Sequence, residues 1–542
     1  MEKSFSSLDL HDSVSSSDED LGVDVPFLED TDEAAGAVTP PVRSDDEENE
    51  DGGSSSSSSV DPRSAYKTNY EIDPKDLKLD NLIGSGAYGK VYRGKLHGKD
   101  VAIKKLTTKF LDEKALSNFL KEVDILCSLR HPNVILFMGA CTTPGNLTII
   151  TELMPRGSVS DLLKSKDVNL TFKNKMKLAK DAALGMNALH NKKPPILHLD
   201  LKSANILVDE NWEGKVADFG LSKINLTGTN RGLLGSPVYM SPEMLLNLEY
   251  DEKTDIYSFG MVLYEMLSGE EPFKGQFSDM TELINGVVKQ NQRPELPPCP
   301  RRLAKLIQSC WDTVPSKRPS FEDMLTSKVF DKVIVEALLT DKRGAALWQK
   351  NFLGQDAAPW AKFQKAYYKY FNLSPKIVDT KGETKIQCLK ILIADNETET
   401  VTIENFARAL ECFGPMENLA WLDKLGEILS KPWFYGDINT KEAEVLLAAK
   451  KPGSYIVRFS SDPGSFTISC KNKQSELAHY RIKHKAGLKF LLGNAEFDSL
   501  EAVIKHHRKK LYLRKAVGGS KYEFLFSKGP LRDVISAYES QQ

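Results

Sequence analysis

The sequence predicts a multidomain α+β protein, and three observations support this fold class. The chain has 542 residues, which is more than one hydrophobic core supports. Short β-rich runs joined by glycine turns open the regular part of the chain and give way to a long stretch of helical spacing. A second unit, residues 433–528, alternates in β fashion with one helix near each end. Hydrophobic residues at 41% and charged residues at 27% exclude a fibrous or wholly disordered chain.

The formal net charge of −3 conceals an asymmetry between the first sixty residues and the remainder. Residues 1–60 hold seventeen acidic and two basic side chains, a charge of −15, which leaves +12 on residues 61–542. Because so few apolar groups cannot offset the entropy of ordering the chain, we expect residues 1–75 to be a disordered, acidic, serine-rich tail. A purely solvating tail and a phosphorylated or autoinhibitory one both remain open.

Charge, hydropathy and cysteine usage exclude several other classes. Residues 433–542 hold nineteen Lys and Arg against eleven Asp and Glu, but without a stacking or groove-reading motif, so we expect no nucleic-acid partner. No apolar run approaches the roughly 18 residues of a membrane span. The seven cysteines are dispersed without C-x-x-C pairs, which is typical of reduced thiols in the cytosol or nucleus and predicts a protein without disulfides or structural zinc. We expect a cytoplasmic protein.

A glycine-rich string joins the first two predicted strands, residues 77–83 and 90–96. Gly84-Ser-Gly-Ala-Tyr-Gly-Lys-Val91 matches G-x-G-x-x-G-x-V, in which glycine lets backbone amides approach phosphate oxygens. A dinucleotide-binding fold uses a similar string but continues directly into a helix. Because a second strand follows here, the string predicts a hairpin over nucleotide phosphates.

A lysine that needs an anionic partner comes next. Val101-Ala-Ile-Lys104 places it in a mostly buried predicted strand, 100–105, where an unpaired charge is costly. Nucleotide phosphates and Glu122, on a predicted helix at 114–129, are the two candidate partners. An exposed lysine on an edge strand is the alternative when Lys104 is taken alone, and the strings downstream weigh against it.

Two further strings, His198-Leu-Asp-Leu-Lys-Ser-Ala-Asn205 and Asp218-Phe-Gly220, complete a site for phosphoryl transfer. Asp200 is placed to accept the proton of a substrate hydroxyl, and Lys202 to neutralise charge on the transferred group. The asparagine that ends the first string and the aspartate that opens the second would hold magnesium, because this hard cation prefers oxygen ligands. We therefore predict Lys104, Glu122, Asp200 and Lys202 as catalytic residues and Asn205 and Asp218 as metal ligands.

The ordered set of strings resembles a eukaryotic protein kinase domain. Gly235-Ser-Pro-Val-Tyr-Met-Ser-Pro-Glu243 resembles the end of an activation segment, Arg318 the buried partner of its glutamate, and Asp255 the helix aspartate that anchors the catalytic loop. The resemblance implies a bilobal fold that uses ATP and Mg²⁺, with Thr151 as gatekeeper and a hinge, Glu152 to Met154, whose backbone meets adenine. The nucleotide-binding residues that it implies are Ile83, Gly84, Ser85, Gly86, Ala87, Tyr88, Gly89, Lys90, Val91, Ala102, Lys104, Thr151, Glu152, Met154 and Leu207.

The residue types around the catalytic strings bear on the acceptor. Lys202 and Gly235-Ser-Pro237 are similar to serine/threonine kinases, whereas Met138-Gly-Ala-Cys141 and Leu201-Lys-Ser203 look most like the tyrosine-kinase-like group. We predict mainly Ser/Thr phosphorylation of protein substrates, with weak tyrosine phosphorylation left open. Leu199 stands where most kinases carry arginine, which departs from the family pattern.

A second phosphate-binding pattern lies near the C-terminus. In Gly453-Ser-Tyr-Ile-Val-Arg-Phe-Ser-Ser461, strand alternation points Arg458 inward between Val457 and Phe459. A buried guanidinium needs an anion, and its fork matches phosphate bidentately. An arginine whose head group reaches solvent is the alternative on this pattern alone.

The later strands and the helix ending at His506-His-Arg508 resemble a Src-homology-2 (SH2) domain of about 96 residues, which recognises phosphotyrosine. The resemblance implies a central antiparallel sheet flanked by two helices. The helix arginine of that family would align at Thr440, so its contact is missing, and Arg481 or Lys441 is a candidate substitute. The phosphotyrosine-binding residues that the resemblance implies are Arg458, Ser460, Ser461, His479 and Arg481.

The expected organisation is a kinase domain at 76–335, a helical connector at 336–432, the SH2 domain at 433–528 and a C-terminal tail at 529–542. We interpret the connector, which is rich in aromatic residues, as a helical block that packs on the binding domain as a rigid spacer.

A kinase of the tyrosine-kinase-like type followed by an SH2 domain is an unusual order, and the whole chain is similar to the Shk family of dual-specificity kinases. By that resemblance we expect phosphotyrosine-bearing partners, recruitment to the membrane, and roles in cytoskeletal control, chemotaxis and phagocytosis. The alternative is a pseudokinase scaffold whose binding domain carries the function; the intact catalytic set favours the enzyme.

Overall fold

The computed structural model describes most of the chain from residue 70 onward. The described ranges are 70–86, 89–106, 113–143, 145–220, 223–224, 235–373, 380–395, 397–416, 420–462, 464–485, 489–520 and 522. These residues belong to one compact unit. Of the tail expected at 1–75, residues 1–69 lie outside the described residues, as does the tail expected at 529–542.

Residues 70–72 already contact the first lobe, ahead of the domain start expected at residue 76. The Ala140 amide donates to Tyr70 O over 3.0 Å, and the Ile72 amide donates to Ala140 O over 2.9 Å. Gly139 allows this close approach, since a Cβ there would lie 2.9 Å from Tyr70 O. Residues 70–72 therefore add backbone hydrogen bonds to the first-lobe sheet, although they precede the expected start of the domain.

The first lobe is an antiparallel sheet with one helix against it, as the sequence predicts, but the sheet has five strands where the sequence predicts three. Its elements are β1 (Leu77–Gly86), β2 (Gly89–Leu96), β3 (Lys99–Lys105), α1 (Glu113–Ser128), β4 (Phe137–Cys141) and β5 (Thr148–Glu152). The strand order is β1-β2-β3-β5-β4. Helix α1 buries Phe119, Val123 and Leu126, whose spacing of three and four residues places them on one face. Because this apolar face packs inward, Glu122 on the adjoining side of the helix points toward β3.

The second lobe is mainly helical. Its elements are α2 (Val159–Lys164), α3 (Phe172–His190), β6 (Ile196–Leu197), β7 (Ile206–Val208), β8 (Gly214–Val216), β9 (Lys223–Ile224), α4 (Pro242–Leu245), α5 (Lys253–Ser268), α6 (Met280–Ile284), α7 (Arg301–Cys310), α8 (Phe321–Thr326) and α9 (Val329–Leu338). The short antiparallel pairs β6–β9 and β7–β8 frame the predicted catalytic loop, which occupies the turn between β6 and β7.

The connector is predominantly helical in the part that the structure describes, with a two-stranded sheet that the sequence did not predict. Its elements are α10 (Lys342–Phe352), β10 (Ala357–Pro359), α11 (Trp360–Tyr370), α12 (Thr380–Ile393), β11 (Thr400–Thr402), α13 (Ile403–Phe413) and α14 (Ala420–Leu429). Aromatic rings fill its interior, for example Phe363 against Phe406 with centroids 5.1 Å apart. Tyr367 is buried there and accepts a hydrogen bond from Trp421 Nε1 over 2.9 Å.

The last unit has a central sheet between two helices. Its elements are β12 (Phe434–Gly436), α15 (Thr440–Ala448), β13 (Ser454–Phe459), β14 (Phe466–Lys471), β15 (Leu477–Lys485), β16 (Lys489–Leu492), β17 (Ala495–Phe497), α16 (Leu500–His507) and β18 (Lys515–Ala516). Strands β13 to β17 are antiparallel neighbours, as predicted. The short strands β12 and β18 pair in parallel with β13, so the whole sheet is mixed rather than antiparallel.

One hydrophobic core runs through the connector and this sheet. Phe413, the last residue of α13, is 2% exposed and its ring lies 6.0–6.4 Å from those of Phe434, Phe459 and Phe466. Such a shared core fixes the orientation of the connector on the sheet, because neither surface can turn without exposing aromatic rings.

Phe413→Ala therefore should destabilise the connector and the sheet together by about 3–5 kcal/mol, the usual loss for a buried phenylalanine. Urea unfolding of the full chain, followed by tryptophan fluorescence, measures the change. Val445→Ala is the matched control, because Val445 lies on α15 with 76% of its surface exposed. Equal stability of the two variants would contradict a shared core.

Candidate active site and phosphate-binding pocket

Lys104 forms two ion pairs, one within the first lobe and one with the second lobe. Its Nζ lies 2.7 Å from Glu122 Oε1 on α1 and 2.8 Å from Asp218 Oδ1, just after β8. The sequence named both acids, and the structure brings them onto the same ammonium group. Gly220 backs the cluster, since a Cβ there would lie 3.4 Å from Glu122 Oε2.

Burial and charge act in opposite directions on these three groups. Burial alone would lower the pKa of Lys104, but the carboxylates of Asp218 and Glu122 outweigh it and raise that pKa above its ordinary value. Burial would also raise the pKa of Asp218, and the Lys104 charge holds it below its ordinary value instead. Glu122 keeps a raised pKa because its burial dominates. The cluster therefore holds a charged lysine and a charged Asp218 across the neutral pH range.

The catalytic loop is held from beneath by Asp255 of α5, which is fully buried. Its carboxylate accepts the amides of His198 and Leu199, each over 2.9 Å, and contacts His190 Nε2 at 2.9 Å. Leu199 has φ 66°, a left-handed conformation that costs a branched residue free energy. The bond to Asp255 stabilises this conformation and so aims the next residue, Asp200, out of the loop.

Asp200 is the centre of a hydrogen-bond network. Lys202 Nζ lies 2.7 Å from its Oδ2, and Asn205 Nδ2 donates to its backbone oxygen over 2.7 Å and to Oδ2 over 3.2 Å. Ser236 donates to Oδ1 through its amide and its hydroxyl, each over 3.0 Å, and its Oγ accepts from Lys202 Nζ at 2.9 Å. The motif Gly235-Ser-Pro237 does not by itself predict a contact of Ser236 with Asp200. The conformation of the carboxylate is thus fixed from three sides.

Gly235 lets the activation segment reach the catalytic loop. It has φ 101°, and a Cβ there would lie 2.5 Å from Leu199 O. Glycine is therefore required for the approach of Ser236 to Asp200. The end of the segment is fixed by Arg318, 1% exposed, whose Nη1 and Nη2 bind Glu243 Oε1 and Oε2 at 2.6 and 2.9 Å.

Asn205 and Asp218, which the sequence predicts as metal ligands, border this network. Asn205 uses its amide nitrogen on Asp200, which leaves the amide oxygen directed elsewhere, and Asp218 uses Oδ1 on Lys104, which leaves Oδ2. Among the described residues, no three His, Cys, Asp or Glu side chains are grouped to hold a metal alone. A pair of oxygens fits Mg²⁺, which takes the rest of its octahedral shell from phosphates and water.

The residues assigned to nucleotide binding lie on the first-lobe sheet and on β7. Gly86 pairs with Gly89 across the β1–β2 hairpin, as the glycine string predicts. A Cβ at Gly89 would lie 2.4 Å from Lys105 O, so the hairpin packs on β3 only with glycine there. The placements are Ile83, Gly84, Ser85 and Gly86 on β1, Gly89, Lys90 and Val91 on β2, Ala102 and Lys104 on β3, Thr151 and Glu152 on β5, Met154 just after β5, and Leu207 on β7. Ala87 and Tyr88 lie outside the described residues.

Arg458, in the middle of β13, is 6% exposed. Its guanidinium donates hydrogen bonds to neutral groups only. Its Nε donates to Ser469 Oγ (3.2 Å), Nη1 to Phe459 O (3.2 Å) and Nη2 to Thr440 Oγ1 (2.9 Å). No ion pair joins it to a carboxylate of the described residues. Burial lowers its pKa, although a guanidinium stays charged. The charge of Glu444 opposes this effect of burial, but Glu444 makes no ion pair with Arg458, so the buried guanidinium favours an anionic ligand.

The structure gathers some of the predicted phosphotyrosine residues and separates others. Arg458, Ser460 and Ser461 line one cavity of about 540 Å³. His479 lies outside that lining and contacts Ser469 Oγ at 2.9 Å. Arg481 also lies outside it, and its Nη1 pairs with Asp462 Oδ2 at 2.5 Å. Ser469 and Thr440 complete the contacts of Arg458. The SH2 resemblance marks Thr440 as the position of the family's helix arginine, whereas no motif marks Ser469.

The sequence pattern of the family "Protein tyrosine and serine/threonine kinase" matches residues 77–327, and that of the "SH2 domain" matches residues 433–507. The chain is similar to three kinases of Dictyostelium discoideum. Dual specificity protein kinase shkB is 40% identical over 84% of this chain and 71% of its own length. Dual specificity protein kinases shkC and shkA are 38% and 36% identical over 80% and 86% of this chain, and 89% and 93% of their lengths.

The two lobes, the ion-paired lysine and the sheet with its buried arginine define a protein kinase that carries an SH2 domain. The chain belongs to the family of dual-specificity protein kinases that includes shkA, shkB and shkC. It uses ATP, as a protein kinase domain implies. Among the described residues, no helix has the length and apolarity to span a bilayer.

Removing the Ser236 hydroxyl tests the network around Asp200. We expect Ser236→Ala to lower kcat about ten- to hundredfold, since hydrogen bonds to charged groups contribute about 1.5–3 kcal/mol. The KM for ATP should stay within about twofold, because Ser236 lies on the acceptor side of the site. Ser236→Thr keeps the hydroxyl and is the matched control. Unchanged kcat in the alanine variant would show that Asp200 is positioned without it.

Proposed function

We propose that this protein transfers the γ-phosphoryl group of ATP, with Mg²⁺, mainly to serine and threonine and more weakly to tyrosine. Its acceptors are proteins that the SH2 domain brings close by binding phosphotyrosine. The observation that supports the enzyme is the double ion pair of Lys104 with Glu122 and Asp218, formed beside an Asp200 that is fixed by Lys202, Asn205 and Ser236.

Positioning and electrostatic stabilisation account for most of phosphoryl-transfer catalysis. Lys104 presents its ammonium to the nucleotide phosphates while two acids keep it charged. Asp200 accepts the proton of the incoming hydroxyl, and its neighbours hold the carboxylate in one orientation. Lys202, already 2.7 Å from Asp200, stabilises negative charge on the transferred group.

Asn205 and Asp218 are the residues that would hold magnesium, through oxygens that the surrounding contacts leave available. When bound, the cation neutralises charge on the phosphate oxygens. The chain itself contributes the fixed position of these two oxygens: Asn205 is tied to Asp200 and Asp218 to Lys104.

The SH2 domain supplies targeting rather than chemistry. A phosphotyrosine held at Arg458 would raise the effective concentration of nearby acceptors without any new contact at the active site. The Shk family resemblance extends this proposal to cytoplasmic signalling at membrane-proximal phosphotyrosine, in cytoskeletal control, chemotaxis and phagocytosis.

A pseudokinase scaffold is the second candidate, and one experiment separates the two. Wild type, Asp200→Asn and the control Asp167→Asn, on an exposed loop, receive labelled ATP, Mg²⁺ and a generic protein substrate. We expect Asp200→Asn to lose at least about hundredfold in rate while still binding nucleotide, since proton transfer is its task. Phosphoamino-acid analysis should return mainly phosphoserine and phosphothreonine, with less phosphotyrosine. Phosphotyrosine alone would contradict the specificity, and absence of transfer in the wild type would favour the scaffold.

A further inference from the structure

The cavity at Arg458 is not built by the SH2 domain alone. Helix α13 of the connector forms a wall of it with Glu404, Ala407, Arg408 and Glu411, spaced as one helical face. The opposite wall comes from the SH2 domain, through the turn before α15 and the loop after β13. Because α13 and the sheet share one hydrophobic core, this wall is a fixed part of the pocket.

Arg408 is the second arginine of this cavity. Its Nη1 lies 2.9 Å from Asp437 Oδ2, and its Nη2 donates to Asn405 Oδ1 over 3.1 Å. Its guanidinium carbon lies 5.2 Å from the ring centroid of Phe459 on β13. The side chain is 29% exposed. The group thus borders the cavity and is held by one carboxylate, one amide and one ring.

Two other acids of the cavity, Glu404 and Asp462, are already in ion pairs. Glu404 Oε1 lies 2.9 Å from Lys173 Nζ of α3, and Asp462 pairs with Arg481. Burial raises the pKa of Glu411, which disfavours its charged form. Arg458, in contrast, donates its hydrogen bonds to neutral groups only, so its charge is available to a phosphate dianion.

The start of α15 adds to this preference. Asn439 caps the helix by accepting the Glu442 amide over 3.0 Å, and Asn439 and Thr440 both line the cavity. The positive end of the helix dipole therefore faces the ligand site. Thr440, however, offers only a hydroxyl where an arginine side chain would reach the phosphate.

We infer that Arg408 of the connector completes the phosphotyrosine pocket, as a second guanidinium that binds the phosphate opposite Arg458. This inference deepens the proposed function and rests on it. Phosphate competes with Asp437 for Arg408: a ligand dianion offers two oxygens to the guanidinium fork, whereas Asp437 occupies Nη1 alone. The pocket then requires the connector as well as the SH2 domain.

Binding of the full-length protein to immobilised degenerate peptides with a central phosphotyrosine tests this, with unphosphorylated peptides as reference and no nucleotide present. We expect Arg408→Ala to weaken binding about tenfold and Arg458→Ala about hundredfold, in line with charge-assisted hydrogen bonds. Asp437→Asn should tighten binding about threefold by releasing Arg408. The double variant R408A/D437N should match R408A within about twofold, because the carboxylate acts only through that arginine.

The signs of these changes separate a binding role from a structural one. If Arg408 merely holds Asp437 in place, Asp437→Asn weakens binding as much as Arg408→Ala does, and the inference is overturned. Wild-type binding in Arg408→Ala overturns it as well. Should Arg408→Ala lower the melting temperature, Arg408→Lys and Arg408→Gln decide: the lysine keeps the charge without the fork and should bind more weakly than wild type, whereas the glutamine, which lacks both, should bind as weakly as Arg408→Ala. A wild type that does not distinguish phosphorylated from unphosphorylated peptides refutes the proposed function itself.

Discussion

The active site depends on one half-buried cation, the Lys104 ammonium, which pairs with two acids from different parts of the chain. Lys104 lies on β3, Glu122 on α1 and Asp218 after β8. Both carboxylates lie within 2.8 Å of the Lys104 ammonium group. Since an unpaired buried charge is costly, this requirement couples the sheet, the helix and the second lobe. The same contacts place Asp218, and through it the candidate magnesium site, beside the lysine that would face the nucleotide.

The second lobe fixes Asp200, the residue proposed to accept the substrate's proton, in a comparable way. Asp255 carries no role in chemistry, yet it fixes the strained backbone at Leu199 and so the direction of Asp200. Ser236 reaches that same carboxylate because Gly235 permits a backbone approach that any other residue would block. Asp255, through the backbone, and Ser236, through its hydroxyl, therefore hold Asp200 in position.

The sequence predicted what depends on local pattern. The glycine hairpin, the strand with Lys104, the helix with Glu122 and the order of the catalytic strings could be predicted because each lies in a short, ordered motif. The contact of Ser236 with Asp200 could not, since it joins residues 36 positions apart through a turn with no signal of its own. Likewise, alternation predicted that Arg458 points inward, but the wall opposite it comes from α13, outside the motif. The parallel strands β12 and β18 were too short to show a pattern.

The central claim is that the Lys104 cluster makes this fold an ATP-dependent enzyme, and Glu122→Gln tests it most directly, because it keeps the shape of the side chain and removes the charge. Steady-state transfer at varied ATP concentration, with the melting temperature as a check on folding, should show kcat/KM for ATP reduced at least about tenfold. A folded variant with the kcat/KM of the wild type would contradict the account.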